Sequence, residues 1–539
     1  MTDEPRELEP PTSFSRSLLW QLQRASYQRQ GLLAWRPGGL PLQITSNPFI
    51  ARGYADVIAG FVRDRQRAAP ARRPLQVVEL GAGSGRFGFY LLRALVAAFA
   101  HDGDGPPPFR LIMTDLVDGN LEGWLAHPRL RPFVDQGLLD VARFDAEQPA
   151  PLALLASGEI VTPDPFGDPV VAIANYFFDT IPHDAYRVED GRLVECLVGL
   201  DGPGDRATSL AEPEAAIDGL RWRIAHAPAR RDHGDPIVDA LLTEYEATLD
   251  GTTMLLPVAG FATIDYLASL GGGRLLLLSS DKGHRELALR DGDEDLTIVR
   301  HPGCVSVSVN YHALARYTEL RGGFAVPALQ RHEDFYTGAL GLGFAADELP
   351  RCQAALDELE RFGPGDYQRL VDQSVAAIAQ PSVEHVLTLL RLGSFDPRLV
   401  LRFAEPLAAA LEDRPPGWLD RDLVHALEAA RDLHYTQPGR RDDLLIIVGT
   451  LLFYLRRPEL AVACLSDALD GTTEDASTYL RLALCWLDLA RPDRSMACLA
   501  RALELAPDLA EARRLQRWLE EAADAPGAGP VSGPRARRS

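Results

Sequence analysis

The stretch from Pro74 to Ala100 constrains the fold more than any other. An apolar, β-branched run, Pro74 to Leu80 (PLQVVEL), leads into the glycine-rich turn Glu79-Leu-Gly-Ala-Gly-Ser-Gly-Arg-Phe-Gly88. The turn opens onto Phe87 to Ala100, a helical segment that is apolar nearly all round. A buried strand feeding a buried helix through a tight turn is the start of a βαβ unit, whose sheet is covered on both faces. Gly81, Gly83 and Gly85 let the backbone turn sharply and approach a ligand with no Cβ in the way. The helix N-terminus behind them offers free N–H groups and partial positive charge.

The alternation continues. Phe109 to Thr114, Leu138 to Phe144 and Pro169 to Ala174 are further short apolar strands separated by helical stretches, which predicts a parallel sheet with right-handed crossovers. Ala185 to Leu200 holds two alternating strands joined by Asp190-Gly191, a strong hairpin signal. Arg274 to Ser279 and Gly303 to Asn310 are later strands, with helical patterns at Pro236 to Leu249 and Tyr311 to Arg321. The first module spans 13–345: a helical cap at 13–70, interrupted by the Pro/Gly-rich stretch 35–41, and a core at 74–345. Residues 1–12, acidic and Pro-rich, read as disordered.

Beyond residue 350 the strands stop and a repeat begins. Leu455-Arg-Arg-Pro458 recurs as Leu489-Ala-Arg-Pro492, Ala463-Cys-Leu465 as Ala497-Cys-Leu499, and Ala468-Leu469 as Ala502-Leu503. Every offset is 34 residues, the period of tetratricopeptide helix-turn-helix units. A helical, tetratricopeptide-like domain is therefore expected over 350–522, with a disordered tail at 523–539. Two units are fewer than a free-standing solenoid needs, so the helices at 366–436 are expected to supply packing surface.

Composition narrows the function classes. At 539 residues the chain exceeds a single core, and 46% apolar with 24% charged residues is globular composition. A net charge of −21 repels nucleic acid and anionic membrane. The longest apolar run, Leu444 to Leu455, is too short to cross a bilayer, and the N-terminus carries no signal-peptide pattern, so a cytoplasmic protein is expected. The 6 cysteines form no C-x-x-C pair and read as reduced, buried thiols, with no metal site. Lys282 is the only lysine, a skew toward arginine that reads as codon bias rather than functional demand.

Two ligands compete for the glycine turn, beside the possibility of an empty, vestigial site. Gly83-x-Gly85-x-x-Gly88 satisfies the dinucleotide fingerprint by itself. The wider Glu-x-Gly-x-Gly-x-Gly frame resembles motif I of class I S-adenosylmethionine methyltransferases. There the carboxylate, here Glu79, faces the amino and sulfonium end of the ligand, where it would repel a pyrophosphate. Asp115, ending the second strand, can accept ribose hydroxyls; Asp145, after the third, stands at the usual place for an adenine amino contact. Asn175 ends the fourth strand at the carboxyl edge of the sheet, where ligands of open α/β sheets bind. The plainer alternatives are a turn cap for Glu79, an Asx turn for Asp115 and an ordinary loop aspartate for Asp145.

More of the chain then resembles the MidA-like family of S-adenosylmethionine-dependent methyltransferases, whose mitochondrial members assist respiratory complex I assembly by methylating a protein arginine. Thr45-Ser-Asn-Pro-Phe49 with Gly53 is similar to the family's N-terminal loop. Asn175-Tyr-Phe-Phe-Asp179-Thr-Ile-Pro182 is similar to its Asn-Glu-x-x-Asp-x-x-Pro segment, with Tyr176 where the family carries glutamate. Leu197-Val-Gly-Leu200, Leu276-Leu-Leu-Ser-Ser-Asp281 and Val305 to Arg316 match later pieces. The fold class implied is α/β: a Rossmann-like class I methyltransferase sheet with an added β-hairpin, followed by an all-α helical-repeat domain. S-adenosyl-L-methionine is the implied cofactor, with Glu79, Gly81, Gly83, Gly85, Asp115 and Asp145 holding it. Asn175 is read as orienting an N–H nucleophile and Asp179 as stabilising charge or taking a proton, against a helix cap or loop hydrogen bond as the plainer role. His183 is read as a loop histidine before a base. The implied activity is methylation of a nitrogen on a protein client recruited by the repeats. The rival is a non-catalytic assembly protein working through those repeats. No oligomeric state follows.

Overall fold

The computed structural model describes residues 6–35, 44–68, 73–102, 105–230, 233–287, 296–326, 331–332, 335–377, 381–412, 414–436, 443–471 and 474–524. The chain divides into two compact units, 1–368 and 369–539.

The first unit opens with strand β1 (Arg6–Ser13) and helices α1 (Leu18–Gln30) and α2 (Pro48–Ala68). β1 corrects the expectation of disorder over residues 1–12; residues 1–5 lie outside those described. Two of the three prolines that suggested disorder, Pro10 and Pro11, sit in a strand with register shifts against its neighbour, where a missing ladder N–H is tolerated. Glu9 then ties the strand down: its buried carboxylate accepts from Ser17 Oγ and the Leu18 N–H, both at 2.8 Å, and so caps α1.

The core follows as β2 (Leu75–Leu80), α3 (Arg86–Phe99), β3 (Phe109–Asp115), β4 (Leu139–Arg143) and β5 (Val170–Asn175). Then come the hairpin β6 (Asp184–Glu189) and β7 (Arg192–Gly202), β8 (Arg221–Pro228), α4 (Pro236–Thr248), β9 (Thr253–Leu256) and α5 (Val258–Leu270). β10 (Leu275–His284), the short hairpin β11 (Ile298–His301) and β12 (Cys304–Val307), α6 (Tyr311–Leu320), β13 (Phe324–Val326), β14 (Phe335–Leu342) and α7 (Pro350–Arg361) complete it.

The main sheet runs β13–β14–β10–β5–β2–β3–β4, with Val309–Asn310 pairing beside it on β10. β10, β5, β2, β3 and β4 are parallel and β14 is antiparallel. This is the expected Rossmann-like α/β sheet. Val78, Ile112, Ala172 and Leu277 are buried on one face and Val77, Leu111, Val171 and Leu276 on the other, as continuous apolar strands require. From β2 the chain moves outward to β3 and β4, then returns to place β5 on the other side. The carboxyl edge between β2 and β5 is therefore a topological switch point, where ligands of such sheets bind. The hairpin belongs to a second, antiparallel sheet, β1–β7–β6–β9 with β8 also on β7. Its turn residues Asp190 and Gly191 both have positive φ, 49° and 67°, which is the geometry that the dipeptide signalled.

The boundary falls later than the expected 345–350. Helix α7 packs on α2, where Asp64 accepts from the backbone N–H groups of Arg351 (2.8 Å) and Cys352 (3.0 Å), capping α7 from another helix. A Cβ on Gly60 would stand 2.8 Å from the Arg351 backbone, so the approach depends on glycine.

The second unit is all helical in its described residues. Its last five helices are α8 (Leu444–Tyr454), α9 (Pro458–Gly471), α10 (Ala476–Asp488), α11 (Pro492–Leu505) and α12 (Ala510–Asp524). The 34-residue period is structural as well as sequential. Arg456 and Ala490, 34 apart, both take positive φ (58° and 56°). The Arg457 N–H bonds to Leu452 O as the Arg491 N–H bonds to Trp486 O, the same helix-ending motif twice. The expected tail begins inside α12; residues 525–539 lie outside those described. Among the described residues no helix is long and apolar enough to cross a membrane.

Candidate active site

The glycine turn closes by its own hydrogen bonds. The Ala82 N–H donates to Thr114 O and the Gly85 N–H to Ala82 O, both at 2.9 Å, while Gly81, Gly83 and Gly85 take φ of 59°, 52° and 74°. Those angles exclude most side chains on steric grounds. Asp115 holds the turn from the next strand: its carboxylate accepts from the Gly83 N–H (3.1 Å) and the Val117 N–H (3.0 Å).

A cavity of about 190 Å³ lies over this edge of the sheet, wholly within the first unit. Glu79, Gly81, Gly83, Asp115, Asp145, Asn175 and Asp179 all line it, seven positions drawn together from four strand ends. Gly85 does not; it forms the N-cap of α3 and shapes the turn from behind. His183 is also absent from the lining. It is fully buried, its Nε2 bonded to Phe178 O at 2.8 Å, and burial pushes its pKa down to about 4.

Glu79 is 4% exposed, and its Oε2 has no hydrogen-bond partner among the described residues. Burial and then the neighbouring Asp115 charge push its carboxyl up to about 8. Burial also raises Asp115, against the backbone N–H groups that favour its charge. A cation entering this end of the cavity would relieve both groups. Along the adjoining wall, Leu116, Phe144 and Ala146 are apolar.

Asp145 stands on that wall but is engaged: Arg24 of α1 pairs with both its oxygens and reaches Glu147 at 3.2 Å. Burial raises its pKa, but the Arg24 guanidinium and the Glu147 N–H outweigh that and hold it below the ordinary carboxylate value. The pair straps α1 over the cavity. Trp20, Gln23, Arg24 and Tyr27, at helical spacing i, i+3, i+4, i+7, present one face of α1 to it. Sequence reasoning missed that face, although its periodicity was there to be read.

Asn175 lies at the opposite wall with its amide committed. Its Oδ1 accepts from Tyr54 OH (3.0 Å) and the Ser280 N–H (3.1 Å), and its Nδ2 donates to Thr45 O at 3.4 Å. Next to it, Tyr176 is held at φ 48°, a conformation that costs an L-residue roughly 1–2 kcal/mol. Asp179 follows on a short 3₁₀ turn; it is 4% exposed, and its Oδ1 has no partner among the described residues. Its backbone N–H donates to Asp281 Oδ2 at 3.1 Å. Burial pushes both carboxyls up, and Asp179's charge raises Asp281 further. Lys282, His301, Cys304 and Ser306 complete this end. The sequence singled out none of them for the site, because β10 and the β11–β12 hairpin reach it only through the fold. Among the described residues no group of three or more His, Cys, Asp or Glu is placed to hold a metal ion.

No protein-family model matches the sequence, and no curated protein matches it. Two solved structures from Burkholderia thailandensis are similar. One is an uncharacterized superfamily protein, at 17% identity over 59% of this chain and 72% of that one, with a TM-score of 0.35. The other, of the same superfamily, is described as a "likely methyl transferase" bound to S-adenosyl-homocysteine, at 17% identity over 59% of this chain and 73% of that one, with a TM-score of 0.38.

Proposed function

We propose that the chain is an S-adenosyl-L-methionine-dependent methyltransferase acting on a nitrogen of a protein, with the helical repeats of the second unit recruiting that protein. The observation that carries this reading is one cavity at the β2/β5 switch point, walled at one end by Glu79, Gly81, Gly83 and Asp115 and at the other by Asn175 and Asp179. The residues suit the ligand. A buried carboxyl with an orphaned oxygen attracts an ammonium or sulfonium, whereas it would repel the pyrophosphate of a dinucleotide. Asp115 keeps lone pairs for ribose hydroxyls beyond the two N–H groups it accepts, since an ionised carboxylate offers about four acceptor sites. The wall of Leu116, Phe144 and Ala146 suits an adenine face.

When bound, S-adenosylmethionine supplies a methyl group already activated on sulfonium. The chain's own residues then have to align the nucleophile and dry the site, effects that can be worth roughly 7–11 kcal/mol. Asn175, with its amide fixed by Tyr54 and Ser280, holds the wall rather than the nucleophile. Asp179 Oδ1 is the acceptor for the nucleophile's N–H and for its proton. Arginine is the acceptor that the family resemblance implies, but Tyr176 replaces the carboxylate that would orient a guanidinium. The committed amide of Asn175 favours a second reading, an assembly protein that binds the ligand without turnover.

Incubating the full chain with S-adenosylmethionine carrying a labelled methyl group, in a lysate depleted of it, separates the two. The enzyme reading expects label in protein, lost in Asp179→Asn at unchanged ligand affinity. Ligand binding with no label would leave the assembly reading standing.

A further inference from the structure

Lys282 is the only lysine among 55 basic residues, and it lines the cavity. Among the described residues the one other Lys or Arg side chain there is Arg24, committed to Asp145 and Glu147. Among the described residues no carboxylate stands within ion-pair distance of the Lys282 cation, whose charge acts at longer range to offset part of the burial of Asp179 and Asp281. The bias that put arginine at every other basic position left an ammonium here. The two cations differ physically. Guanidinium is a wide planar fork, whereas an ammonium is a compact point charge on a flexible stem that can follow a ligand into a narrow site.

Its surroundings have the same character. Lys282 follows Asp281 in β10, two residues beyond the last pair with β5 and opposite Phe335 of β14, and lines the cavity together with Asp179. Asp179 presents an orphaned, buried oxygen to the same space. A positive and a negative group, neither paired with the other in an ion pair, fit a ligand portion that brings an anion as well as an N–H. Tyr176 adds no carboxylate to tip the balance toward a purely cationic acceptor.

We propose that Lys282 is the seat for a carboxylate inside the cavity. This deepens the methyltransferase reading and rests on it for the identity of the ligand. The carboxylate comes either from the amino-acid end of the adenosyl ligand or from the methyl acceptor.

Because the chain has one lysine, an amine-selective acetylating reagent reports on this site alone, with the α-amino terminus as an internal control. The full chain is acetylated with and without glutarate, S-adenosylhomocysteine, methylthioadenosine (which lacks the amino-acid end) and arginine amide. Mass spectrometry follows Lys282. At about ten times its Kd, a ligand seated on the ammonium slows acetylation about tenfold by mass action. Slowing by S-adenosylhomocysteine but not by methylthioadenosine assigns the seat to the adenosyl ligand. Further slowing by glutarate, on protein already saturated with S-adenosylhomocysteine, assigns it to the acceptor. The proposal is overturned if neither carboxylate slows the reaction, if methylthioadenosine protects as well as S-adenosylhomocysteine while glutarate does nothing, or if arginine amide protects best. Calorimetry with S-adenosylhomocysteine keeps the two readings apart. Glutarate protection without nucleoside binding sinks the methyltransferase reading alone, and nucleoside binding with Lys282 unprotected sinks the carboxylate seat alone.

Discussion

Glu79 is a carboxyl buried where its charge costs stability. Its folded-state value, about 8, lies above the ordinary 4.5, so the fold favours its protonated form. That contribution is whole below about pH 4.5 and is lost as pH rises through about 8. Glu79→Gln should therefore match the parent in urea unfolding at pH 5 and exceed it at pH 9 by on the order of a few kcal/mol, at one pKa unit per 1.36 kcal/mol. A variant less stable at pH 9 would mean that Glu79 has a partner in the fold. Glu79, Asp115 and the glycines were legible because their meaning is local, set by spacing around one strand and one turn. The Arg24–Asp145 strap and the Tyr54–Asn175 bond each join residues 121 apart, and no local pattern encodes such a pairing. Lys282 was visible as an oddity of composition, but only the fold places it in the cavity.

At the level of elements, period and turn chemistry were the reliable signals. The β2–α3 unit, the Asp190-Gly191 hairpin and the 34-residue helical period all follow from short-range rules of packing and positive φ. β1 was misread because an acidic, Pro-rich stretch reads as disordered by composition, whereas it forms an edge strand of the second sheet that Glu9 ties to α1. The repeat turns store a small cost, since Ala490 adopts φ 56° without being glycine. Ala490→Gly should stabilise the second unit by about 0.5–1 kcal/mol, the relief of a left-handed residue less the added freedom of the unfolded chain. A fall in urea midpoint would show that the Ala490 methyl group packs productively.

Taken whole, the chain is an α/β unit that holds a cavity, followed by a helical unit, divided after residue 368 rather than near 345. The difference comes from Asp64, a residue of α2 that caps α7 nearly three hundred positions later. A fragment ending at Gln368 should unfold cooperatively and keep the cavity's ligand affinity. One ending at Ala345 should lose a substantial part of its stability by uncovering the face of α2 that α7 buries. Equal urea midpoints for the two fragments would restore the earlier boundary.

Titration calorimetry with S-adenosylhomocysteine, near pH 7.5 in buffers of different ionisation enthalpy, reads out both binding at the glycine turn and the proton on Glu79. One site per chain and release of a proton are expected, as the ligand's cation drives Glu79 to ionise. Affinity should rise with pH up to about 8, and both the proton release and most of the affinity should vanish in Glu79→Gln. No binding heat, or binding that the Glu79→Gln change leaves untouched, would contradict this reading of Glu79.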